Sequence, residues 1–181
     1  VVEQRYQLFL GQFPTAHRLA RARETSVVAA WSGLGYYRRA RSLHAAAKEA
    51  VRNGGFPGTA SELTQLPGIG RYTAAAVASI AYGEPVAVVD GNVKRVLDRL
   101  TGRELSEADY WATAQALLEK DRPGDFNQAM MELGAVICLP GQPRCEECPV
   151  FEMCLSRGPT ARKAEKPRKK TTRIEAAREK I

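Results

Sequence analysis

Hydrophobic positions recur at helical spacing along nearly the whole chain. Val2, Tyr6, Phe9, Leu10 and Phe13 share one face of an amphipathic helix over 1–13. Pro14 ends it, and Thr15 is placed to cap a short helix over 17–21. A third helix is expected over 24–31, with Trp31 packed in the core. Gly33-Leu34-Gly35-Tyr36-Tyr37 then breaks the pattern as a loop and opens a long helix that ends near Gly54-Gly55, with Tyr37 inside. After a Pro57-Gly58 turn, Thr59 caps the helix leading to Leu66-Pro67-Gly68-Ile69-Gly70. Those five residues read as a tight hairpin between two helices. Proline stops the first helix, and the glycines permit positive φ or close backbone approach. An Ala-rich helix over 71–82 follows, ended by Gly83.

Only 86–89 is strand-like, and it is too isolated to build a sheet. It delivers Asp90 to the start of a helix over 92–100. Ser106, with Asp109 three residues on, opens another helix, whose stripe is Tyr110, Ala114, Leu117 and Leu118. A last helix spans 125–137, with Met130, Leu133 and Ile137 inward and the methionines acting as core packing. The fold class expected is all-α, without internal repeats.

Composition narrows the possibilities. A chain of 181 residues with 44% hydrophobic and 26% charged residues suits one or two compact domains. No apolar run is long enough to span a membrane, and no signal-peptide pattern is present. The formal charge of +7 is concentrated at one end. Residues 157–181 carry ten Lys/Arg and three Asp/Glu, which leaves seventeen of each in 1–156. The body is nearly neutral, so it must meet a nucleic acid through local patches and backbone amides. The basic end reads as a disordered linker adding salt-sensitive attraction.

Three groups carry candidate chemistry. A glycine hairpin opening a helix presents free N–H groups and a positive dipole end, which suits a phosphate. Asp90 follows about twenty residues later. It reads either as an N-cap or as a carboxylate set near a bound backbone, and the two roles are compatible. The Gly33–Tyr37 loop precedes Arg38, Arg39 and Arg41. That arrangement describes a solvated basic face, or an aromatic wedge beside phosphate-binding arginines. Finally, Cys138, Cys145, Cys148 and Cys154 fall within seventeen residues as C-x6-C-x2-C-x5-C. Such clustering points to a metal site in a reducing compartment, and the spacing leaves zinc and [4Fe–4S] open.

LPGIGRYTAAA followed by VDGNVKRV resembles the helix-hairpin-helix, Gly/Pro-rich loop, Asp superfamily of DNA glycosylases. Within it, WSGLGYYRRARSLH and FNQAMMELGAVIC resemble adenine DNA glycosylases of the MutY type, over about 1–155. The resemblance implies a helical barrel portion with the hairpin motif over 1–85. It implies an iron–sulfur domain carrying the catalytic Asp90 over 86–156, and a basic linker over 157–181. The four cysteines would hold a [4Fe–4S] cluster. Leu66, Gly68, Ile69, Gly70 and Arg71 would meet the DNA backbone. Tyr36 would wedge into the duplex beside Arg38, and Arg144 would contact DNA from the loop ahead of Cys145.

Asp90 would stabilise positive charge on the sugar, with Asn92 bonding in the same pocket. Tyr72 stands where members resembling endonuclease III carry a lysine. Without an amine no Schiff base forms, which implies a monofunctional enzyme. The partner implied is duplex DNA with a mispaired adenine, met by a monomeric, intracellular, DNA-associated protein. Thymine-mismatch or oxidised-pyrimidine glycosylase, and a non-catalytic DNA-binding module, are the alternatives. The chain begins at Val1, and the family's general-acid glutamate from an upstream helix has no match in it. Neither does the C-terminal 8-oxoguanine-recognition domain, so the expectation is DNA binding with little or no turnover by this chain alone.

Overall fold

The computed structural model describes residues 2–157, with the side chains of Val2 and Gln4 excepted. The expected linker, apart from Arg157, lies outside the described residues, as does the Val2 side chain of the first apolar face. Nine α-helices follow in order among the described residues: α1 (Val2–Gln12), α2 (Ala16–Arg21), α3 (Glu24–Ala30), α4 (Tyr37–Arg52), α5 (Ala60–Leu63), α6 (Arg71–Tyr82), α7 (Gly91–Thr101), α8 (Glu107–Leu117) and α9 (Pro123–Glu132). No strand occurs among them, so the all-α expectation holds. Side chains cap the helices where turn chemistry placed them. The hydroxyl of Thr15 accepts from Arg18 N at 3.1 Å, and that of Ser106 accepts from Asp109 N at 3.2 Å. Thr59 accepts from Glu62 N and donates to its carboxylate, a reciprocal box that starts α5.

Three hydrophobic clusters hold the helices together. Phe13, Leu19, Val27 and Ala47 join α1–α4. Ala46, Ala50, Leu63, Leu66, Ala74 and Ala78 join α4, the hairpin and α6, where alanines let the backbones approach closely. Ala87, Val89, Val93, Leu97, Leu105, Tyr110 and Ala114 form the third, with Trp111, Met130 and Met131 packed against it. The methionines pack as expected.

Several details differ from the periodic reading. Tyr6 and Leu10 are exposed, because no described element covers that side of α1. Tyr37 sits at the first turn of α4 and is exposed rather than in the core, and Leu117 at the end of α8 is also exposed. The last long helix does not run to residue 137. After α9 the chain widens into a π-helical turn, Leu133–Ile137, and Cys138 N donates to Leu133 O at 2.7 Å. Gly134 makes this possible: a Cβ there would lie 2.7 Å from Asn92 Cβ and 2.8 Å from Asn92 O. The start of α7 therefore touches the π turn backbone to backbone.

Candidate functional site

The hairpin joins α5 to α6. Gly68 adopts φ +76°, and a Cβ at this position would meet Ser42 Cβ at 2.5 Å. Glycine is required twice over, by conformation and by the close approach of α4. Gly70 forms the N-cap of α6 and has no side chain to bond the first-turn N–H groups. Gly68, Gly70 and Arg71 are exposed, and Ile69 is half-buried against the hairpin cluster. Glu84 accepts from Ala60 N at 2.6 Å and ties the far end of α6 to the start of α5. At two of the expected contact positions the side chains are engaged within the protein. The Leu66 side chain is buried in the core, where it anchors the hairpin, and so it is withdrawn from any surface contact. The Arg71 guanidinium lies 3.7 Å from the centroid of Trp111, so it is stacked across a groove of about 590 Å³ between α6 and α8. Trp111 Nε1 in turn donates to Glu107. The Lys94 ammonium bonded to Glu107 holds that carboxyl below its ordinary range.

Asp90 is the N-cap of α7. Its Oδ1 accepts from Val93 N at 2.7 Å, and its Oδ2 accepts from the Asn92 amide at 3.2 Å. The cap and the positioned carboxylate are therefore one arrangement, and the cap itself contributes about 1 kcal/mol. The network continues along α7. Asn92 Oδ1 accepts from Arg95 Nη2 at 2.8 Å. Arg95 also donates to Gly134 O in the π turn and to Cys138 O at 2.7 Å. One turn further, Arg99 Nη1 donates to Leu139 O at 2.8 Å and lies 3.2 Å from Cys138 Sγ. One face of α7 thus runs from the candidate carboxylate to the cysteine loop. Sequence reasoning missed Arg95 and Arg99, although their four-residue spacing on one helix was a readable signal.

The extended segment that delivers Asp90 has no sheet to satisfy it. Two side-chain amides do so instead. Gln115 accepts from Ala87 N at 2.9 Å and donates to Pro85 O at 2.9 Å. Asn127, 2% exposed, accepts from Val88 N at 3.0 Å and donates to Val86 O and Ser79 Oγ, both at 2.9 Å. Asn127 was not foreseen, though it stands on the inward face of FNQAMMELGA, where an amide signals a buried partner.

Tyr72 Oη donates to Met131 Sδ at 3.5 Å, and Met131 packs on the cluster containing Val89 and Val93, which flank Asp90. No amine replaces the Tyr72 hydroxyl at this point on α6. Tyr36 is 78% exposed at the tip of its loop, with the Arg39 guanidinium 5.2 Å from its ring centroid; Arg38 beside it is exposed.

The four cysteines are unpaired and half-buried in a loop with two short 3-10 turns, Cys145–Glu147 and Phe151–Met153. Burial, with the other three thiols facing it, pushes Cys148 above its ordinary range. Among the described residues no three such side chains converge on a single ion-sized point. Leu155 N and Ser156 N donate to Leu100 O and Arg99 O, which fastens the loop's exit to the end of α7. Arg144 is exposed, with Glu147 3.8 Å away.

The chain has known relatives in sequence and in fold. The family described as HhH-GPD superfamily base excision DNA repair protein matches residues 1–122, and the chain belongs to it. It is 47% identical over 161 residues to the adenine DNA glycosylase of Homo sapiens, covering 84% of this chain and 30% of that protein. It is 51% identical over 131 residues to that of Arabidopsis thaliana, covering 68% and 21%. The chain thus spans less than a third of the length of these relatives. Among solved structures, a thermostable thymine-DNA glycosylase superposes with TM-score 0.79 at 28% identity, over 86% of this chain and 75% of that one. A trapped endonuclease III–DNA covalent intermediate superposes with TM-score 0.73 at 27% identity, again over 86% of this chain and 75% of that one. Both fit the same helical architecture.

Proposed function

We propose that this chain is the hairpin-and-carboxylate part of a monofunctional adenine DNA glycosylase acting on adenine paired with 8-oxoguanine or guanine. The observation that carries the reading is the Asp90 carboxylate, fixed by two donors at the head of α7, with a tyrosine rather than an amine as the second residue of α6, the helix that the hairpin opens. The N–H groups at the uncapped head of α6, Gly70 and Arg71, receive a phosphate without reading sequence. The exposed Tyr36 ring enters the base stack, and Arg38 neutralises a neighbouring phosphate. The target adenine leaves the duplex before its bond is cut. As the N-glycosidic bond breaks, positive charge grows on the sugar and Asp90 stabilises it, with Asn92 holding the carboxylate in register. Tyr72 forms no Schiff base, so the strand stays intact until alkali cleaves the abasic site.

The four-thiol loop fits a [4Fe–4S] cluster held by Cys138, Cys145, Cys148 and Cys154. Four thiols at this spacing suit either a tetrahedral zinc or a cubane, and the same spacing in glycosylases of this family favours the cubane. Bound there, the cluster would cross-link the loop internally, while Arg95 and Arg99 fasten the same loop to α7. Purified protein is expected to contain iron and acid-labile sulfide in equal amounts, and stoichiometric zinc in their place would refute this assignment.

The functional test is single-turnover base release from a duplex with adenine opposite 8-oxoguanine, run beside a G:T duplex, each with and without alkali. Adenine release with alkali-dependent breaks is expected once a general-acid glutamate is supplied on an N-terminal extension, and Asp90→Asn then lowers the rate on the order of a hundredfold or more. Thymine release would assign the chain to the chemistry named for its thymine-DNA glycosylase neighbour. Tight binding with no release of either base, with the N-terminal extension present as well as without it, would make it a DNA-binding module.

A further inference from the structure

Tyr36 is the one non-glycine residue with positive φ among the described residues, at φ 47°, ψ 46°. This is the left-handed region, sparsely populated for a residue with a Cβ, and it persists only where the surroundings over-determine it. No side chain caps α4 at this position, so local capping does not explain the conformation. The constraint comes from the residues before it. Trp31 Nε1 donates to the Gly35 carbonyl at 3.0 Å, across the peptide that leads into Tyr36. Leu34 N donates back to Trp31 O at 3.2 Å, closing a turn inside the same loop. Gly33 and Gly35 both take positive φ, at +87° and +69°, and the Arg5 guanidinium lies against Gly33. The Trp31 ring is itself seated edge-on against Phe9, centroids 5.8 Å apart, so the donor is fixed from behind. The outcome is a tyrosine ring held out into solvent on a braced loop.

We propose that Trp31 is a positioning residue for the Tyr36 ring, acting through the indole N–H bond to the Gly35 carbonyl. The inference rests on the reading of Tyr36 as the duplex wedge. Opening a base step is costly, and a ring that searches for its orientation loses part of its binding energy in being ordered. The latch removes that loss before DNA arrives. It also accounts for a large aromatic residue keeping its one polar atom on loop backbone instead of leaving it in solvent.

The test uses the full chain and a duplex with adenine opposite 8-oxoguanine, with 2-aminopurine beside the 8-oxoguanine to report local unstacking. Trp31→Phe removes the donor. Tyr36→Ala removes the wedge. A third protein carries β-(3-benzothienyl)alanine at position 31, which keeps the bicyclic shape and lacks only the N–H. Loss of one such bond is expected to weaken binding roughly threefold to tenfold. The 2-aminopurine signal should fall in both position-31 variants, and neither should weaken binding further once Tyr36→Ala is present. Full fluorescence and affinity in the benzothienyl protein would overturn the inference while leaving the wedge intact. So would losses that add to those of Tyr36→Ala, because they would show Trp31 acting on the fold at large. If Tyr36→Ala itself leaves the fluorescence unchanged, the wedge reading falls and the latch with it.

Discussion

Tyr110 shows how one buried hydroxyl ties α8 to α7. Its Oη donates to both oxygens of Asp98, at 2.7 and 2.9 Å, and Asp98 Oδ1 also accepts from Leu105 N at 3.0 Å. Burial, then the bond to the Asp98 carboxylate and its charge, push the phenol from 10 up to about 12. A group whose pKa is raised by folding stabilises the native state while protonated. The contribution is complete below pH 10 and is lost as pH climbs through about 12. Tyr110→Phe is expected to cost about 1.5–3 kcal/mol at neutral pH, the range for hydrogen bonds to charged groups. The gap between the two proteins in denaturant unfolding should then narrow across that alkaline window. A gap that stays constant through that window would mean that folding does not shift the phenol. Periodicity placed Tyr110 on the buried stripe, but pattern alone does not say which polar group its hydroxyl will find. The same gap in information explains Leu66 and Arg71. A hairpin motif names the positions but not which of them the core recruits, and the core took the leucine while Trp111 took the guanidinium.

The element that best separates pattern from outcome is the extended stretch before α7. Its apolar run was legible as an isolated, inward-going segment, and the absence of a second strand was legible too. What the run could not reveal was the source of its hydrogen bonds, because the donors and acceptors lie 28 to 41 residues away on α8 and α9. A buried backbone without partners is prohibitively costly, so some pairing had to exist. Asn127 and Gln115 each supply two of these backbone bonds, and Asn127 is the buried one of the two. Asn127→Leu keeps roughly the volume and removes every bond, leaving Val88 N–H, Val86 C=O and Ser79 Oγ buried without Asn127. At about 1–3 kcal/mol for each buried group left unsatisfied, the loss is expected to exceed about 3 kcal/mol, read as a lower denaturation midpoint with the slope retained. A loss below about 1 kcal/mol would show that the segment finds other partners. The π turn after α9 was illegible for a related reason. Its apolar spacing continues that of α9, and the close approach of Asn92 to Gly134 is a contact that spacing does not announce.

At the scale of the molecule, charge and chemistry are segregated along the chain. Residues 1–156 carry equal numbers of acidic and basic side chains, while 157–181 carry ten Lys/Arg against three Asp/Glu. Within the described body the candidate contacts to DNA are few: the hairpin amides, Tyr36, Arg38 and the exposed Arg144. Amides of that kind hold a phosphate without releasing many counterions, since they add no full charge. Salt dependence should therefore come mainly from the basic end, and mispair recognition from the body. Deleting residues 158–181 is expected to flatten the plot of log affinity against log salt, by about 0.9 for each phosphate left without its neutralising cation and by roughly two units or more in total. The 2-aminopurine response that depends on Tyr36 should persist at low salt, because the ring and its loop remain. An unchanged slope would place the electrostatic contacts on the body, where Arg38, Arg39 and Arg41 on α4 would be the residues to neutralise next. Loss of the 2-aminopurine response together with the slope would mean that the basic end takes part in recognition rather than only in holding the duplex near.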